Sequence, residues 1–214
     1  MMCNSFGCRN NFSLPTAISC RTSLARKFIF QRYLNAEQID YFDLIYGNQI
    51  INDLKIDESR LYFGQIENNF VFNYLDFLIY CNADNWDDQY GVIKNFKFTQ
   101  RSSVEHFYAQ QIEGGSDKLD NANLHKFGNL CLISSSKNSS IGNRLPSAKR
   151  DYFLHEINKG KIDTLKLYLM IQLLEKEDEW KVTQIEKHEK EMLDLFESDY
   201  KVFCEMSVGK FIQY

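Results

Sequence analysis

Val104-Glu105-His106-Phe107-Tyr108-Ala109-Gln110, followed by His125-Lys126-Phe127-Gly128-Asn129-Leu130-Cys131-Leu132-Ile133, decides how the chain is read. The first piece is a strand-like run in which an acid and a histidine stand side by side. The second is a short apolar run that starts on Gly-Asn and ends in serines, the pattern of a buried strand. Ser134 to Asn138 then reads as a polar turn leading towards Lys149-Arg150.

Outward from this insert the chain reads as helix. Its 214 residues hold 17 Phe and 12 Tyr against 10 Gly and 2 Pro. Few breakers and many large side chains favour long helices packed by aromatics. Pro15 in a first turn predicts a helix running towards Leu34, and Asn35-Ala36-Glu37 caps another through Tyr46. Asp57-Glu58-Ser59 precedes a periodic segment from Leu61 to Cys81, broken by Asn82 to Asp88. Asn95 to Thr99 alternates apolar and polar, which predicts a strand. Ser147 caps a helix reaching Ile157. Two more helices follow, from Leu165 to Leu174 and from Val182 to Phe203, the second with His188 in register with Ile185 and Met192. The expected fold is mainly α with a small α+β insert. Its parts are an N-terminal helical segment (1–95), the insert (96–158) and a C-terminal helical segment (159–214), in one compact unit.

Composition excludes several classes. No run of about 18 apolar residues exists, so no membrane span is expected. The N-terminus lacks the charged-then-apolar layout of a secretion signal, and a cytoplasmic location is the expectation. The 6 cysteines form no Cys-x-x-Cys pair, which argues for reduced thiols and against a cysteine zinc site. A net charge of −4 argues against indiscriminate nucleic-acid binding by the whole surface. Yet no acid stands between Asp120 and Asp151, where Lys126, Lys137, Arg144, Lys149 and Arg150 all fall. Such a basic island is what an approaching phosphate requires, although chance clustering on a solvated face gives the same pattern.

The residue types in the insert suit phosphodiester hydrolysis. A divalent cation stabilises charge on the phosphate, and a base takes the proton of the attacking water. Histidine suits the second task because it titrates near neutrality. Carboxylate and amide oxygens suit the first, since hard cations prefer oxygen. Neighbouring side chains on a strand point to opposite faces, so Glu105 and His106 border one cleft only at a strand end.

Val104 to Gln110, Gly128 to Ser134, Asn138-Ser139 and Pro146 to Arg150 together resemble the His-Me finger (HNH, ββα-metal) nucleases. More narrowly, they resemble the nuclease domain at the C-terminal end of GmrSD-type restriction proteins. The resemblance covers residues 104–150. It implies a helical bundle flanking a ββα-metal motif, and a metal-dependent endonuclease acting on DNA in restriction or antiviral defence. It implies His106 as the general base, Glu105 and Asn138 as ligands of one Mg²⁺ or Mn²⁺, and Asn129 as the brace that orients the base. Lys149 falls at a recurrent basic position and is expected on phosphate, with Arg150, Lys137 and Arg144 of the island beside it.

Asn138 reads equally as a helix cap, Asn129 has a turn residue as its lesser alternative, and His125 reads first as a loop histidine and second as a contact to DNA or to the site. Trp86 and Trp180 read as packing residues. Ala109 stands where the family has the proline of His-x-x-Pro, which predicts a looser exit from the strand. Relatives carry an N-terminal domain resembling ParB-type nucleotide hydrolases, whereas residues 1–95 show no Gly-rich phosphate loop. The expectation is a truncated form, or one half of a split system with a separate nucleotide-hydrolysing partner protein. The rival is a catalytically silent nucleic-acid-binding or partner-docking module with a degenerate finger.

Overall fold

The computed structural model describes residues 56–99, 101–111 and 118–211, with side chains as far as residue 199. The two helices expected before Gly47 lie outside the described residues. Within them the chain is mainly helical, with a two-stranded antiparallel sheet.

Helix α1 (Phe70–Cys81) and helix α5 (Leu165–Glu177) are buried nearly all round, and they pack on each other at the centre. A helix that is apolar on every side belongs inside. Helix α6 (Val182–Phe211) lies against both and turns Ile185, His188, Met192 and Phe196 inward. The N-terminus of α5 takes no cap from its own chain segment. Asp76 of α1 supplies it, accepting the Lys166 N–H at 3.0 Å. Burial pushes the Asp76 carboxyl up to about 7, against the pull of the two N–H groups it caps. No helix among the described residues is long and apolar enough to cross a membrane.

Strands β1 (Ser103–His106) and β2 (Leu130–Ile133) pair with Glu105 opposite Cys131 and His106 opposite Leu130. β2 is buried throughout because α5 packs on it, and Thr164 Oγ1 donates to the Leu132 carbonyl at 2.9 Å. Between the strands lie the short helix α2 (Asn121–Leu124) and a 3-10 turn, Phe127–Asn129. That turn rests directly on α6. A Cβ built on Gly128 would stand 2.1 Å from the Ile185 carbonyl oxygen and 2.8 Å from Glu189 Cβ. Backbone cannot yield as a flexible side chain does. Gly128→Ala is expected to destabilise the fold by about 2–3 kcal/mol, read as a lower urea midpoint.

Three expectations need correction. The periodic segment from Leu61 is not one helix. Asp57 caps a 3-10 turn, Glu58–Leu61, and Gly64 at φ +83° breaks the run before α1. The detour is tied to the insert, where Phe63 N donates to the His125 carbonyl at 3.0 Å. Residues 96–99 form no ladder. Their alternation reports Phe96 packed edge-on against Phe98 at 4.9 Å, and Phe98 against Tyr80 at 5.6 Å. Ser134 to Asn138 is not a turn. It opens helix α3 (Ser135–Ile141), and the N–H of the residue ahead of it, Ser134, donates to Asp163 Oδ2 from across the fold at 2.8 Å. The next helix, α4 (Pro146–Ile157), starts with proline at its first position, one residue ahead of the expected Ser147.

Candidate functional site

β1 pairs with β2, α3 follows β2 directly, and α3 packs on β1. Alternation along β1 sends Ser103 and Glu105 to one face and Val104 and His106 to the other. The contacts bear this out. Asn138 Nδ2 donates to Ser103 Oγ at 2.6 Å, and Glu105 Oε1 accepts from Lys149 Nζ at 2.5 Å. The His106 ring, on the opposite face, makes no hydrogen bond to these side chains. It lies 4.4 Å from that of Phe63, and its Nε2 lies 2.9 Å from Nδ1 of His125.

His125, read first as a loop histidine, is brought into the site, and its pairing with His106 was not expected. Its only signal was its place directly ahead of Lys126-Phe127-Gly128-Asn129. It stacks on Phe63 at 5.4 Å and meets the edge of Tyr62 at 5.6 Å, so the imidazole is held by two aromatic rings. Gln110 Nε2 stands 3.5 Å from the same His106 nitrogen. No described residue bonds His106 Nδ1. Burial, with the nearby His125 and Lys149 charges, pushes the His106 imidazole down to about 4. A histidine so placed is a neutral base at physiological pH.

The lowered pKa has a sign for stability. The unfolded chain binds its proton near 6.5 and the native ring only near 4, so protons favour the unfolded state between those values. His188, buried with neither ring nitrogen partnered among the described residues, acts in the same direction. The urea midpoint is expected to fall as pH drops from 6.5 to 4, and less steeply in His106→Gln. Equal slopes in the two proteins would mean that the ring is not shielded.

Asn129 is fully buried and all its amide atoms are engaged. Its Oδ1 accepts from Tyr108 N at 2.8 Å and from Trp180 Nε1 at 3.0 Å. Its Nδ2 donates to the Tyr108 and Leu124 carbonyls at 3.1 and 2.8 Å. The exit of β1 is therefore pinned at Tyr108 by side-chain hydrogen bonds, although Ala109 lacks the ring that would have stiffened it. Trp180 packs edge-on against Phe107 at 4.9 Å and ties α6 to the same point. Lys166, fully buried, adds a bond from Nζ to the Phe127 carbonyl at 2.8 Å. Burial pushes its amine down to about 7.

The basic island is not a basic patch in space. Lys149 is 1% exposed, and besides Glu105 it donates to the His106 carbonyl at 2.6 Å, so as placed it offers no surface to a phosphate. Lys137 pairs with Glu156 and with Asp163 at 2.7 Å. Lys126 pairs with Glu186 at 2.9 Å, and Arg150 with Asp151 at 2.8 Å. Arg144 is exposed and has no ion partner among the described residues. Lys126, Lys137 and Lys149 drew their counter-charges from remote segments.

Among the described residues no three His, Cys, Asp or Glu side chains cluster as a metal cage. The thiols of Cys81 and Cys131 are free and buried. What the site offers a cation is oxygen. Ser103 takes up Nδ2 of Asn138, which leaves Oδ1 of that amide as a donor to a cation. Lys149 takes Oε1 of Glu105, which leaves Oε2. Oxygen donors of this kind are what hard cations such as Mg²⁺ or Mn²⁺ prefer.

The family model described as GmrSD restriction endonucleases, C-terminal domain, matches residues 54–195, about two thirds of the chain. No curated protein and no solved structure matches it.

Proposed function

Since the chain belongs to the family of GmrSD restriction endonuclease C-terminal domains, we propose that it is a metal-dependent endonuclease of the His-Me finger type, hydrolysing DNA phosphodiester bonds in defence against foreign DNA. The observation that carries this reading is His106. It is a neutral imidazole at the end of β1, fixed through Nε2 and without a described partner at Nδ1. That leaves Nδ1 to take the proton of the attacking water. Glu105 and Asn138 would hold one Mg²⁺ or Mn²⁺, which supplies charge stabilisation at the scissile phosphate. Asn129 does not touch substrate; it holds Tyr108, and so the end of β1, in place. Lys149 pairs with Glu105 and anchors the His106 carbonyl. Arg144 and Arg150 remain candidates for contact with the DNA backbone.

His125 has a defined task in this scheme. If His106 Nε2–H donates to His125 Nδ1, the lone pair of His106 lies on Nδ1, where the base is needed. His125→Asn keeps an acceptor near the same point and is expected to retain most turnover. His125→Ala is expected to lower kcat about 10–100-fold, the range for partners that orient a reacting group. Equal losses in both variants would assign His125 to packing against Phe63 and Tyr62 instead.

One observation favours a second reading, a module that binds nucleic acid or a partner without cutting: Lys149 already neutralises Glu105. Nicking of supercoiled plasmid by the full chain separates the two. The nuclease reading expects nicks with Mg²⁺ or Mn²⁺ that a chelator abolishes. Binding without nicks under any divalent ion selects the second.

A further inference from the structure

A cavity of about 430 Å³ opens beside the finger, where the segment entering β1 meets the loop between α4 and α5. Lys97 and Arg101 come from the first, Lys159 and Lys161 from the second. None of these four belongs to the basic island of the sequence. Lys137 of α3 reaches the rim, but Glu156 and Asp163 neutralise it. Two acids face five cations in the lining, so the cavity is locally positive on a chain of net charge −4. Over a screening length of about 8 Å at physiological salt, the local charge is the one a ligand meets.

Two details mark the lining as built for an anion. Lys97 and Lys161 are exposed and have no ion partner among the described residues. Arg101 gives one guanidinium nitrogen to Asp163 at 3.3 Å, while its Nε is buried with no partner among the described residues. A buried donor without an acceptor is costly, and a phosphate oxygen would satisfy it. The volume falls in the range of small-molecule pockets and admits a phosphate with its sugar.

The position supplies the rest. Arg101 stands two residues before Ser103, which holds Asn138, and Lys137 is the chain neighbour of Asn138. From Ser103 to His106 the strand rises about 10 Å, which corresponds to about three base-pair steps along the axis of a duplex. We propose that this cavity is a subsite for a backbone phosphate of the DNA strand being cut, a few nucleotides from the scissile bond. The proposal rests on the nuclease reading above. It fixes the direction in which the strand leaves the base: back along β1 towards Arg101.

The test uses the full chain carrying His106→Ala, so that binding is read without cutting. Anisotropy of a labelled duplex is followed against salt, with and without Lys97→Ala and Lys161→Ala together; circular dichroism checks that the fold is kept. The subsite expects Kd to rise several-fold and the log–log salt slope to become shallower by about 1–2. Unchanged Kd and slope overturn the subsite and leave the nuclease reading standing. A parent chain that neither binds nor nicks DNA overturns both. In a second arm a deoxynucleoside monophosphate is titrated by calorimetry. Binding that the double variant loses, while duplex affinity and slope stay the same, assigns the cavity to a free phosphate ester and overturns the strand subsite.

Discussion

Replacing His106 with alanine is expected to lower DNA nicking by about a hundred- to ten-thousandfold, the usual worth of a positioned base. The loss belongs to the chemical step. The ring is buried against Phe63 and His125, so its removal also leaves a small void, but no hydrogen bond of the sheet depends on it. Thermal unfolding therefore moves little compared with turnover, and duplex affinity stays near that of the parent chain. Single-turnover nicking with Mn²⁺ at saturation is the measurement. A variant that cuts at the parent rate shows that another group takes the proton. His125 is then the first candidate, because it is the imidazole nearest to the vacated place.

The largest effect on stability is expected from Asn129→Leu. The shape is nearly kept, but four buried partners lose their bonds: the Tyr108 N–H and carbonyl, the Leu124 carbonyl and the Trp180 indole N–H. Each buried polar group left unpaired costs about 1–3 kcal/mol, and relaxation recovers part of the sum. A loss of about 4 kcal/mol is expected from urea unfolding, a large share of the total for a domain of this size. The released Tyr108 also frees the end of β1, so cleavage falls together with stability. A loss below about 1 kcal/mol would show that the loop between the strands is held mainly by Gly128 and Phe127 on α6.

Where sequence and structure agree, a local pattern was enough. The run Leu130 to Ile133 is apolar at every position and became the buried strand. The register of Ile185, His188 and Met192 became the inner face of α6, with all three side chains fully buried. Elsewhere the deciding partner lay far away in the chain. The serine-rich start of α3 has weak helical preference of its own, and the bond that fixes its entry, from the Ser134 N–H, goes to the remote Asp163. The basic island dissolved for the same reason, since Glu105, Glu156, Asp163 and Glu186 were not adjacent in sequence.

The candidate site could be named from the sequence by residue type, but its contacts could not. Glu105, His106, Asn129 and Asn138 were singled out from three short blocks, and the structure gives each a defined set of neighbours. The bond of Asn129 to Trp180 had no sequence signal: a tryptophan after Asp178-Glu179 reads only as packing. The pairing of His106 with His125 was equally hidden. A loop histidine has no period to report, and its meaning came from a contact of 2.9 Å. The cationic cavity arises from two segments, each unremarkable for charge when read alone.

The proposed chemistry requires one cation between Glu105 and Asn138, beside but not on His106. Mn²⁺ binding to the full chain is followed by electron paramagnetic resonance. One ion per chain is expected, with affinity reduced tenfold or more in Glu105→Gln and in Asn138→Ala and unchanged in His106→Ala. Binding that both ligand variants leave intact, or that disappears with His106, would contradict this placement.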